Sequence, residues 1–235
     1  MGGGIAFESV EVLAEGSPGS PDVTILTGVN LALTEHRIAV IGPNGSGKST
    51  LARLVNGLVL PTSGRVLVDG LDPARDGAAV RRRVGFVFTD PDAQLVMPTP
   101  REDVALSLRR LRLEAAERSD QVLAVLDRFG LRALADVSVH ALSGGQKQLL
   151  ALAGVLATEP AILVCDEPTT LLDLHWRRVV GDLLDSLDQQ VLLVTHDLDA
   201  AAAADRVLVV DGGAVVADDA PSVAIDAYRT RMAVR

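Results

Sequence analysis

Apolar and polar positions along this chain switch between two periods. Residues 5–13 alternate in part, as a half-buried strand does, and residues 23–33 resume an apolar pattern. The stretch 15–22 between them is rich in glycine, serine and proline and predicts a loop. Residues 37–41 form a short apolar run stopped by Gly42-Pro43, the mark of a buried strand. Leu51, Leu54, Val55 and Leu58 then fall at helical spacing over 49–60. A further short strand over 65–69 ends in the turn pair Asp69-Gly70. The run 84–88 is again β-like, whereas 89–100 holds three prolines and no period. From Arg101 to Leu134 the chain is helical and charged, and 91–157 reads as a mostly helical insertion. Three apolar runs follow, at 161–165, 191–195 and 207–210, separated by helical stretches over 174–189 and 198–204. Strand–helix–strand spacing of this kind predicts a parallel sheet. Residues 214–217 are expected to turn back as a hairpin after Gly212-Gly213.

Composition narrows the function classes. With 48% hydrophobic and 23% charged residues, the 235-residue chain is expected to bury a large core as one α/β domain. Only 3% of residues are aromatic, which argues against a protein that stacks nucleobases, and the net charge of −9 provides no general field for phosphate backbones. Nucleic acid is therefore not an expected partner. The positive charges are 20 arginines and only two lysines, Lys48 and Lys147, a coding bias rather than a site. The single cysteine, Cys165, reads as strand filler. No stretch of 18 uncharged residues exists, so no membrane-spanning helix is expected. The first residues carry no basic segment of a secretory signal, and Ala6 breaks the myristoylation pattern.

Three segments carry chemistry. Gly42-Pro43-Asn44-Gly45-Ser46-Gly47-Lys48-Ser49-Thr50 matches the phosphate-binding pattern G-x-x-x-x-G-K-[ST], between an expected strand and an expected helix. Glycines let backbone N–H groups approach phosphate oxygens, the helix start adds partial positive charge, Lys48 would neutralise the β/γ-phosphates, and the Ser49 hydroxyl would ligate Mg²⁺. The plain alternative is a glycine-rich turn with an exposed lysine. Second, the strand 161–165 runs into Asp166-Glu167. Asp166 could hold Mg²⁺ and Glu167 could polarise a water, or both could be solvated carboxylates at the next helix start. Third, Leu142-Ser143-Gly144-Gly145-Gln146 precedes a helical run. Ser143 is a candidate N-cap, and two glycines leave N–H groups open, so the segment is a second anion-binding helix start or an ordinary capped helix.

Taken in this order, the three segments resemble the ATP-binding-cassette ATPases, and the resemblance covers essentially the whole chain. It implies a P-loop NTPase of α/β class with a mainly parallel sheet core, an N-terminal antiparallel β subdomain and an inserted helical subdomain. The whole is one domain over 1–235, with about 1–90 and 158–235 forming the core and about 91–157 the helical part. It implies ATP and Mg²⁺ as ligands and a head-to-tail homodimer or heterodimer, in which Leu142–Gln146 of one copy faces the nucleotide held by the other's Lys48. Leu171-Leu172-Asp173 occupies the place of the loop that crosses that interface. His196, after the strand 191–195, matches the family's switch histidine, so Lys48, Glu167 and His196 are the expected catalytic set. His36, His140 and His175 are read as surface or packing residues. The family's usual glutamine after the 84–88 strand aligns with Thr89, with Gln94 five residues on, so either is a candidate Mg²⁺ ligand. The aromatic that usually stacks on adenine aligns with Ala14, and Phe7 reads as core.

The stretch 85–105, with its Asp-Pro-Asp-Ala-Gln-Leu and Glu-Asp-Val-Ala pieces, resembles the ATPases of energy-coupling-factor importers. Pro168–Leu174 and Val96–Pro98 look more like the biotin-transport members than the cobalt or nickel ones. The implied partners are an integral membrane scaffold subunit and a substrate-binding membrane subunit, and the implied location is the cytoplasmic face of the cell membrane. Importers of cobalt, nickel or another vitamin, and soluble cluster-assembly ATPases, are the alternatives. Repair types need a long coiled coil, and translation types need two cassettes, for which 235 residues are too few.

Overall fold

The computed structural model describes residues 4–16, 21–111 and 113–234. Of the loop expected over 15–22, residues 17–20 lie outside the described residues, as do the first three residues of the chain. The chain groups into two compact units: Met1–Val84 with Ile162–Asp166 and Gln189–Arg235, and Gly85–Ala161 with Glu167–Asp188. The second unit thus takes in 167–188, a segment the sequence reading placed with the core.

In the first unit, β1 (Ile5–Ala14), β2 (Val23–Leu33) and β4 (Ser63–Val68) form an antiparallel sheet in the order β2-β1-β4. Register pairs Ile5 with Leu33 and Phe7 with both Leu31 and Val66, so the alternating apolar residues of all three strands share one face. Phe7 is 2% exposed and is core, as read. The second sheet is built on β3 (Arg37–Ile41), β6 (Ile162–Asp166), β7 (Gln190–Val194) and β8 (Arg206–Asp211), all parallel, in the order β6-β7-β3-β8. β9 (Ala214–Asp219) adds antiparallel to β8 as the hairpin expected after Gly213. Strands buried on both faces read as continuous apolar runs, which is why Ile38, Val40, Leu163, Val164, Leu192 and Val207 show no alternation and are at most 1% exposed.

Helix α1 (Lys48–Val55) buries Leu51, Leu54 and Val55. It stops one turn short of the expected 49–60. Gly57 turns the chain at φ 72°, and Leu58 and Leu60 are left about half exposed. Two helices were not read from sequence. α2 (Gly77–Arg83) buries only Val80, and α8 (Pro221–Ala233) buries only Ala224 and Ile225, so neither shows an apolar stripe. α7 (Leu198–Ala202) and α8 pack Ala201, Ala224, Ile225 and Tyr228 against Ala39, Ile41, Val207 and Val209.

The second unit opens in β5 (Val84–Val87) and is otherwise helical: α3 (Pro100–Leu108), α4 (Ala115–Arg128), α5 (Gly144–Leu156) and α6 (Leu174–Asp185). The single helical stretch expected over 101–134 is divided into α3, α4 and short turns. Thr99 caps α3, its hydroxyl accepting from the Glu102 N–H.

Candidate functional site

The parallel register sets the strand ends of the first unit side by side. Val40 pairs with Val194, and Val194 with Asp166, so the chain leaves β3, β7 and β6 on one edge of the sheet. Ligands of open parallel sheets bind outside such carboxyl ends. From β3 the chain enters the loop 42–47, which is closely shaped. At Gly42 (φ 149°) an added Cβ would lie 2.0 Å from the Val210 carbonyl oxygen; at Gly47 (φ 105°) it would lie 2.7 Å from Leu26 Cδ2. No larger residue fits either place without moving backbone or core. The loop is clasped from outside: the Gly213 N–H donates to the Ser46 carbonyl (3.1 Å), and the Thr27 N–H donates to the Gly213 carbonyl (2.9 Å).

Gly47 is the N-cap of α1, no side chain caps the helix, and its first turn holds no acidic residue. Its N–H groups and their partial positive charge therefore face the loop with no side-chain cap and no acidic residue of the helix's own first turn. Lys48 is 5% exposed, and its Nζ donates to the carbonyls of Gly42 and Pro43, each at 2.9 Å. Ser46 Oγ is buried with no hydrogen-bond partner. A buried orphan hydroxyl and an ammonium folded onto loop carbonyls fit an anion that would satisfy both.

Below the loop, Ser49 Oγ donates to Asp166 Oδ1 at 2.7 Å, and Arg53 places a guanidinium nitrogen 3.3 Å from Asp166 Oδ2. Asp166 is 1% exposed. Arg53 was not singled out from sequence, although it lies four residues after Ser49 and hence on the same helix face. Among the described residues no group of three His, Cys, Asp or Glu side chains could hold a metal. The fit is to a cation that takes one or two protein oxygens, here Ser49 and Asp166, and completes its shell with phosphate and water, as Mg²⁺ does. Beside Asp166, Cys165 is fully buried, and burial pushes its thiol well above the ordinary range. His196 is exposed just past β7, after Thr195, whose N–H donates to the Val40 carbonyl.

The remaining sequence-derived residues lie in the second unit. Glu167, immediately after Asp166, has a left-handed backbone (φ 51°), and its Oε2 accepts from the Thr170 hydroxyl at 2.9 Å. Ser143 caps α5 in a reciprocal box: Gln146 Oε1 accepts from the Ser143 N–H (2.9 Å), and Ser143 Oγ accepts from the Gln146 N–H (3.3 Å). Leu142 is buried, a Cβ at Gly144 would meet open space, and one at Gly145 would fall 2.0 Å from the Trp176 ring. The ring thus covers Gly145, a contact the sequence reading missed. Asp173 caps α6 through the Trp176 N–H (3.0 Å), with Leu171 and Leu174 65% and 76% exposed on either side. The Gln94 side chain is committed to the protein: Oε1 accepts from the Phe88 N–H and Nε2 donates to the Ala151 carbonyl, both at 3.3 Å. Thr89 lies just after β5 and is half-buried. Ala14 is exposed at the end of β1 opposite Val23. His36, His140 and His175 are all exposed.

A glycine-shaped phosphate loop between a parallel strand and a helix defines a P-loop nucleotide-binding protein. Comparison with known proteins sharpens this. The ABC transporter family model matches residues 26–170. The biotin transport ATP-binding protein BioM of Rhizobium etli is 48% identical over 201 residues, 86% of this chain and 89% of that protein. The energy-coupling factor transporter ATP-binding protein EcfA1 of Halalkalibacterium halodurans is 42% identical over 191 residues, 79% of this chain and 69% of that protein. The structure of cbiO1 from Clostridium perfringens, part of the ABC transporter complex cbiONQ, superposes with a TM-score of 0.80 at 32% identity, covering 97% of this chain and 93% of that one. This chain belongs to the ABC transporter family: it is an ATP-binding, ATP-hydrolysing domain of that fold. No helix among the described residues is long and apolar enough to cross a membrane.

Proposed function

We propose that the chain is the ATPase subunit of an energy-coupling-factor importer and that the solute is biotin. The observation that carries the ATPase part is the Ser49–Asp166 pair beneath an uncapped helix start that holds the buried Lys48. The importer type rests on similarity to BioM, EcfA1 and cbiO1.

In this reading the N–H groups of Gly45 to Thr50 hold the β- and γ-phosphates, and Lys48 exchanges its two carbonyl partners for phosphate oxygens. Ser49 and Asp166 hold Mg²⁺, which supplies charge neutralisation when bound. Thr89 or Gln94 is the candidate for a further oxygen ligand. Glu167 takes a proton from the attacking water, and His196 donates to the γ-phosphate. Ser143, Gly144 and Gly145 of a second ATPase copy close on the same nucleotide, and Asp173 sits at the crossing of the two copies. Hydrolysis reopens the pair. The irregular 89–100 stretch receives a helix of the membrane scaffold, which places the chain at the cytoplasmic face of the membrane.

The test is purification of the tagged chain from detergent-solubilised membranes of its source organism. The expected result is co-purification of a membrane scaffold and a small membrane protein that together bind biotin. Binding of a cobalt or nickel ion instead would replace the solute, and recovery of soluble partners alone would overturn the importer reading.

A further inference from the structure

We propose that Lys147 is a positioning residue: it clamps the loop after β5 to α5, so that movement of the Ser143–Gln146 turn is delivered to residues 89–100. The proposal rests on the importer reading above, in which these two segments meet the second nucleotide and the membrane scaffold. The clamp itself is visible in one compact unit of the chain.

Lys147 Nζ donates to both carboxylate oxygens of Asp92, at 2.7 and 3.0 Å, and the lysine side chain is only 15% exposed. Asp92 sits in a single helical turn, Pro91–Ala93, held by Asp90, whose Oδ1 accepts from the Asp92 N–H. Pro91 fixes φ there, so the turn moves as a piece. One turn further along α5, the Ala151 carbonyl accepts from Gln94 Nε2, and the other end of the same amide accepts from the Phe88 N–H. Lys147 and Ala151 are four residues apart, hence on one helix face. They hold Asp92 and Gln94, two residues apart in the loop. A third hold comes from the buried Asp103 of α3, whose Oδ1 accepts from the N–H groups of Val96 and Met97. Between these holds Val96 is 69% exposed. At the other end, the Lys147 N–H donates to the Ser143 carbonyl in the first turn of α5. A displacement of Ser143 therefore reaches Asp92 through one helical turn and one ion pair.

Both carboxylate oxygens of Asp92 are met by the one nitrogen of Lys147, as a compact ammonium with three donors allows.

Two measurements test the clamp. In the full chain, hydrogen exchange at the amides of 88–97 should accelerate in Lys147→Met and Asp92→Asn, while α4 of the same unit keeps its protection. Unchanged exchange at 88–97 overturns the clamp whether or not a membrane partner exists. In the complex with its membrane subunits, Lys147→Met should leave ATP turnover within about twofold and lower the solute moved per ATP by about fivefold or more, the lower end of coupling between sites. The charge-exchanged pair Lys147→Asp with Asp92→Lys should recover most of that loss. Normal solute per ATP in Lys147→Met, or no recovery in the exchanged pair when it retains ATP turnover, overturns the delivery role. Failure to find any membrane partner overturns the importer reading and leaves the exchange result to decide the clamp.

Discussion

Glu167 adopts a left-handed backbone conformation that few non-glycine residues accept, at a cost of order 1 kcal/mol or more. Its carboxylate takes a proton donor, Thr170, from the turn it starts. Its proposed role as base is separable from binding. Glu167→Gln should retain ATP affinity and lose roughly 10²–10⁴-fold in turnover, the usual contribution of a general base. Lys48→Ala should instead weaken ATP binding by about 10–100-fold, equal to one or two charge-assisted bonds. Titration with labelled nucleotide beside single-turnover hydrolysis separates the two. Normal turnover in Glu167→Gln removes it as base, and unchanged affinity in Lys48→Ala removes the phosphate cradle. Side-chain roles that depend on adjacent positions were legible in the sequence, such as Ser143 as the N-cap of α5, though the return bond from Gln146 was not read. Roles made by distant pairs were not. Asp92 and Lys147 lie 55 residues apart, and Trp176 lies 31 residues beyond the Gly145 it covers, so neither pairing leaves a local pattern.

At the level of elements, β6 places Cys165 in full burial beside its parallel neighbour β7. The thiol should resist alkylation in the native chain and react on unfolding, so its labelling follows global opening. Burial raises the thiol above its ordinary value of 9.0, so above pH 9.0 the unfolded chain sheds a proton that the folded chain keeps. Stability should then fall as pH rises past 9.0, and replacement by Ala or Ser should flatten that limb in chemical denaturation; an unchanged slope would remove Cys165 as its source. Elements with a dense apolar pattern, β3, β6, β7 and β8, were legible because burial on both faces demands continuous apolar runs. α2 and α8 escaped because each rests on one or two buried residues, and the end of α1 was misplaced because Leu58 keeps helical spacing after Gly57 has already turned the chain. The segment 167–188 was assigned to the core by its position between strands. In the structure it groups with the helical unit, where the Trp176 ring lies on Gly145.

For the whole molecule, fold class and family were readable from one sequence because three short motifs, 42–50, 142–146 and 166–167, occur in a fixed order, and their order is a property of the chain rather than of any contact. Solute was not readable to the same depth, since in the proposed mechanism no described residue belongs to a solute site and a separate membrane subunit recognises the solute. The contact between Trp176 and Gly145 has an optical consequence. Trp176 is the only tryptophan in 235 residues, and its indole covers the turn that a second copy's nucleotide would approach. Intrinsic emission of the unmodified protein therefore reports on that turn without an attached dye. Adding Mg²⁺ and ATP to Glu167→Gln should shift the emission in step with dimer formation, and Lys48→Ala should show neither. A dimer that assembles with the spectrum unchanged would mean that the indole keeps its place and that Gly145 receives the nucleotide without uncovering.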